Sequence, residues 1–77
     1  LMGNELANLT RSEKTLTLHV LTASQLKEGF YLKEDADFIF IFKDGKKLAT
    51  FTIHTTSNAI RAEIDRLIKE GDNKVLA

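Results

Sequence analysis

The stretch Phe38-Ile39-Phe40-Ile41-Phe42-Lys43-Asp44-Gly45 constrains this chain more than any other. Its five consecutive apolar residues are all good strand formers, and phenylalanine and isoleucine alternate with the period of a strand. Asp-Gly directly after such a run is the strongest short-range hairpin signal, because both central residues of a type I′ turn take positive φ. The segment predicts a strand over residues 38–42, a two-residue turn at Asp44 and Gly45, and a returning strand over residues 48–53.

An uninterrupted two-residue hairpin fixes its own register. Lys43 faces Lys46, Phe42 faces Lys47, Ile41 faces Leu48, Phe40 faces Ala49, Ile39 faces Thr50 and Phe38 faces Phe51. Opposed residues share a side of the sheet. One side then carries Phe38, Phe40, Phe42, Ala49, Phe51 and Ile53, which reads as the core, and the other carries Asp35, Asp37, Ile39, Ile41, Leu48, Thr50, Thr52 and His54.

Residues 15–21 also alternate and contain β-branched side chains, which predicts a first strand with Leu16, Leu18 and Val20 turned to the phenylalanine side. Residues 22–25 have capping-box spacing, and Gly29 is suited to close a single helical turn after them. Toward the C-terminus, Ile60, Ile64, Leu67 and Ile68 recur at helical spacing over residues 59–70. Gly71 fits the position just past a helix end. Met2, Leu6 and Leu9 allow a short N-terminal helix. The expected fold is a single α+β domain over residues 1–77: a three-stranded antiparallel sheet in β-β-β-α order with one C-terminal helix on one face, and loosely ordered ends at 1–14 and 72–77.

Composition narrows the function. With 77 residues the domain buries little more than half of its unfolded surface, so a partner subunit is a natural stabiliser. The absence of cysteine removes disulfides and thiolate zinc sites, and two histidines, His19 and His54, are too few for a structural metal site; no cofactor is expected. Eleven basic residues balance eleven acidic ones, which argues against strong unspecific attraction to nucleic acid or to an anionic membrane. No run is long and apolar enough to span a bilayer, and no apolar leader is visible, so a cytoplasmic location is expected. The start Met2-Gly3-Asn4 is similar to a myristoylation signal, but Ala7 stands where Ser or Thr is wanted.

Three functional readings follow from these residues. The first is a non-enzymatic interaction or self-association module, a homodimer whose interface uses Ile39, Ile41, Leu48, Thr50 and His54 on the side the helix leaves bare. The second is a nucleic-acid-binding module using Lys43, Lys46 and Lys47 at the hairpin tip with Arg61 and Arg66 on the helix. The third is an enzyme built on a His54–Asp35 pair across the sheet, which lacks a nucleophile elbow, a metal-ligand spacing or a phosphate-cradling loop beside it. The order of hairpin, third strand and C-terminal helix resembles a double-stranded-RNA-binding domain. That family's Lys-Lys-x-Ala-Lys run at the start of the last helix is replaced here by Ser57-Asn58-Ala59-Ile60-Arg61, so no family is assigned.

Overall fold

In the computed structural model, residues 7–76 are described, with side chains to residue 72. The elements run α1 (Arg11–Val20), α2 (Ala23–Lys27), β1 (Phe30–Asp35), β2 (Phe38–Lys43), β3 (Lys46–Thr52) and α3 (Ser57–Leu76). The strands form one antiparallel sheet in the order β1-β2-β3, with helices before it and a long helix after it. The α+β class is as the sequence predicts.

The turn between β2 and β3 forms as expected. Asp44 and Gly45 have φ of 53° and 75°, the signs a type I′ turn needs. A Cβ at Gly45 would have nothing within 4 Å, but a β-branched residue there would carry the left-handed backbone at a cost of about 1–2 kcal/mol. We expect Gly45→Val to lower the melting temperature by roughly 4–8 °C per kcal/mol lost, read by circular dichroism.

Residues 15–21 are not a strand. They lie in α1 and just past its end, and strand one is Phe30–Asp35 instead. The reason is local. Thr10 caps α1 with a complete capping box: its hydroxyl accepts from Glu13 N at 3.1 Å, and Glu13 Oε1 accepts from Thr10 N at 3.0 Å. The buried residues of α1 are Glu13, Thr17 and Val20, at helical spacing. Two of the three are polar, so the stripe escapes a reading based on hydrophobicity. The box at Thr22 and Gln25 forms as predicted. Gln25 then reaches on to the Arg61 carbonyl at 3.1 Å and to Asp65 at 2.9 Å, fastening α2 to α3.

The register of the hairpin also departs from expectation. Lys43 faces Lys46 and Phe42 faces Lys47, but Ile41 then faces Ala49, with an irregularity between Ile41 and Phe42 that leaves Leu48 as the extra residue of a β-bulge. Beyond it Phe40 faces Thr50, Ile39 faces Phe51 and Phe38 faces Thr52. One inserted residue exchanges the two sides of everything that follows. The core side therefore carries Leu32, Ile39, Ile41, Ala49 and Phe51, packed with Val20, Leu21, Phe30, Ile60 and Ile64. The row Phe38, Phe40 and Phe42 faces away from this core.

Helix α3 supplies the predicted stripe of Ile60, Ile64, Leu67 and Ile68. It starts at Ser57, where the Thr56 hydroxyl accepts from Ala59 N at 3.2 Å. It does not stop at Gly71 but continues to Leu76, and the segment expected to be a loose tail is helical there. Gly71 has ordinary helical backbone, and nothing lies within 4 Å of where its Cβ would be. Gly71→Ala should therefore stabilise the fold by up to about 1 kcal/mol, the helix-propensity difference, seen as a higher melting temperature. Of the expected N-terminal helix, Met2 and Leu6 lie outside the described residues, and Leu9 is buried.

Candidate functional site: the open face and free edge of the sheet

The two edges of the sheet are treated differently. β1 is closed by α1. The Thr17 hydroxyl, fully buried, accepts from Leu32 N at 3.0 Å and donates to Leu32 O at 3.3 Å, while Glu13 Oε2 accepts from Glu34 N at 2.9 Å. These side chains take the place of a further strand on the outward peptide groups of β1. Burial pushes the Glu13 carboxyl up, but hydrogen bonds from the amides of Thr10 and Glu34, together with the Lys33 charge, outweigh it and hold the group below its ordinary value of 4.5. A carboxyl depressed on folding contributes stability that is complete above its unfolded value and is lost as the pH falls through its folded value. We expect Glu13→Gln to remove part of the acid sensitivity, so that wild type and variant converge in stability as the pH falls below the ordinary carboxylate range.

On the side of the sheet away from α3 lies an aromatic row. Phe38, 46% exposed, stands at one end, with Phe40 and Phe42 half-buried beside it. Tyr31 stacks on Phe42 with ring centroids 5.7 Å apart and 28° between planes. Lys33 Nζ lies 5.0 Å from the centroid of Phe42, and Lys47 Nζ lies 4.9 Å from that of Phe40. Thr50 and Thr52 complete the face on β3.

The five residues predicted as an interface are not brought together. Ile39 and Ile41 are core residues, 4% and 0% exposed, under the helices. The bulge in β3 sets Ala49 and Phe51 beside them, and this is the side the helices cover. Leu48 is exposed at the bulge and lines a groove with Phe30, Leu67 and Ile68, edged by Glu28 and Lys43. Thr50 is exposed on the open face, and His54 is exposed in the turn after β3. The predicted His54–Asp35 pair is absent from the register, in which Asp35 faces Phe38.

The five cations of the nucleic-acid reading are also dispersed. Arg61 donates to the Val20 carbonyl at 2.8 Å and to Asn58, which fastens the end of α1 to α3. Arg66 pairs with Glu63 and Glu70, and those carboxylates hold its guanidinium pKa above the ordinary value. Lys43 lies 3.7 Å from Glu28 and 5.0 Å above the ring of Phe30, and Lys47 sits over Phe40. Lys46 is exposed at the hairpin tip.

The aromatic face is hidden from sequence reasoning because a strand that is apolar on both sides fits either parity.

Fold and surface together define a small α+β domain: one helix-backed sheet with an aromatic outer face, and no helix among the described residues long and apolar enough to cross a membrane. Comparison with family models, curated proteins and solved structures finds no significant match to the chain.

Proposed function

We propose that this chain is a non-enzymatic interaction module that works as a homodimer and engages a protein partner through the aromatic face of its sheet. The observation that carries the reading is the row Phe38, Phe40 and Phe42, kept on the side opposite the core with Phe38 almost half exposed. A domain this small has every reason to place three phenylalanines inside, since each buried ring contributes roughly 1.5–3 kcal/mol. Aromatic residues ringed by polar ones are what interface centres are made of.

The nucleic-acid alternative draws on the same face, since bases stack on exposed rings. Two observations weigh against it. The ammonium groups of Lys33 and Lys47 already cover ring faces of Phe42 and Phe40, and the net charge is zero.

The test uses the immobilised chain and a cell extract with and without nuclease. A protein retained by the unmodified chain, insensitive to nuclease and lost with the folded double variant F38S/F40S, supports the module. Equal retention by the variant overturns it. Retention of nucleic acid that disappears with K46E/K47E would install the alternative.

A further inference from the structure

We infer that the second copy joins along the outer edge of β3, making one continuous sheet of twice three strands across the dimer; this rests on the homodimer reading. Ile53 N donates to Asp37 O at 2.7 Å, which makes Asp37 and Ile53 a hydrogen-bonded pair of the β2–β3 ladder. Such pairs alternate along an antiparallel ladder. Phe51 and Ala49 therefore bond inward to β2, and the peptide groups of Thr50 and Thr52 point outward.

The two edges of the sheet are not equivalent. On β1 the corresponding outward groups of Leu32 and Glu34 are met by Thr17 and Glu13. On β3, Thr52 O accepts from Thr55 N at 3.0 Å within the following turn. That leaves Thr50 N–H, Thr50 C=O and Thr52 N–H as the outward groups, and Thr50 and Thr52 are exposed. Among the described residues, growth of the sheet is blocked at β1 and open at β3.

The sequence of β3 selects a copy of itself as the occupant. Residues 48–53 carry no charge. A two-fold axis at Thr50 lets Thr50 N–H and C=O exchange with Thr50 of the second copy. On the core side the same register sets Ala49 against Phe51 of the second copy, small against large, twice. Lys47 then meets Ile53, and Lys46 meets His54. An axis moved to Leu48 brings both lysines inside the paired segment, Lys47 against Ala49 and Lys46 against Thr50, and an axis at Lys47 opposes lysine to lysine, whereas an axis at Thr52 runs into the turn at Thr55. The dimer would carry two aromatic faces side by side on one surface.

The test reads self-association of the full chain. Light scattering at about 100 μM should give twice the monomer mass, and at about 1 μM the monomer mass. Thr50→Pro removes the central donor at a point where its N–H does not serve the β2–β3 ladder, so the fold is expected to persist and the mass at 100 μM to halve. Amide exchange supplies the second readout. The Thr50 amide of the unmodified chain should exchange at least about tenfold more slowly at 100 μM than at 1 μM. A dimer that survives Thr50→Pro, with Thr50 exchange independent of concentration, overturns the edge assignment and leaves the homodimer standing. A monomer at 100 μM overturns both.

Discussion

Replacing Ile41 by lysine will unfold the domain at room temperature, whereas the same replacement at Phe38 will not. Ile41 is fully buried in the middle strand, within the cluster formed with Leu32, Ile39, Ile60 and Ile64. A lysine there must either leave an ammonium without a partner in an apolar core or be neutralised. The loss exceeds about 4 kcal/mol, set against a total of roughly 4–12 kcal/mol for a chain of this length. Phe38 is one of the exposed large apolar residues, and a lysine there meets water. Circular dichroism of the two variants separates the two rows. An I41K variant as stable as F38K would contradict a core centred on Ile41.

Replacing Thr17 by valine will be nearly as damaging, although the two side chains are almost the same size. The Thr17 hydroxyl is the partner of both Leu32 N and Leu32 O, and all of it is out of contact with solvent. Valine leaves two buried backbone groups unmet, at about 1–3 kcal/mol each. The expected loss is roughly 2–4 kcal/mol, because some relaxation toward water is available at an edge. Thr17→Ser keeps the hydroxyl and should recover most of it. Chemical denaturation of the three proteins checks the prediction. A valine variant within about 0.5 kcal/mol of wild type would show that α1 does not seal β1.

Ile41 and Thr17 also mark how far the fold is legible in the sequence. The hairpin is legible because its turn chemistry is specific, and Asp44 and Gly45 adopt the positive φ values their types imply. The helix stripe Ile60, Ile64, Leu67 and Ile68 is legible because its period is regular and its members are apolar. Helix α1 is obscured for the opposite reason. Its inward stripe holds Glu13 and Thr17, whose job is to bond a strand edge rather than to fill a core. A search for buried apolar residues passes over them and finds the alternation of residues 15–21 instead. The capping box at Thr10 and Glu13 is the counter-signal.

The predicted interface fails on a single residue. A hairpin drawn without irregularity puts the phenylalanines inside and the isoleucines outside. The bulge at Leu48 moves Ala49 and Phe51 to the isoleucine side, and that is the side the helices cover, so inside and outside are reversed. No residue type in β3 announces the bulge, and both parities of the Phe38–Phe42 run look equally apolar. The reversal changes the function proposed. The side away from the helices is now a set of aromatic rings, with Tyr31 buried beside Phe42 and lysines over Phe40 and Phe42, and Ile39 and Ile41 hold the domain together instead of joining it to another.

Everything proposed for the surface depends on that reversal, and nuclear Overhauser effects test it directly. With the methyl groups of isoleucine and the rings of phenylalanine labelled, Ile39 and Ile41 should show cross-peaks to Ile60 and Ile64 of α3. The ring signals of Phe38 and Phe40 should lack them and should broaden on addition of a soluble paramagnetic agent. Cross-peaks from Phe40 to Ile60 and Ile64, with Ile39 and Ile41 broadened instead, would mean that the phenylalanines form the core and that no aromatic face exists.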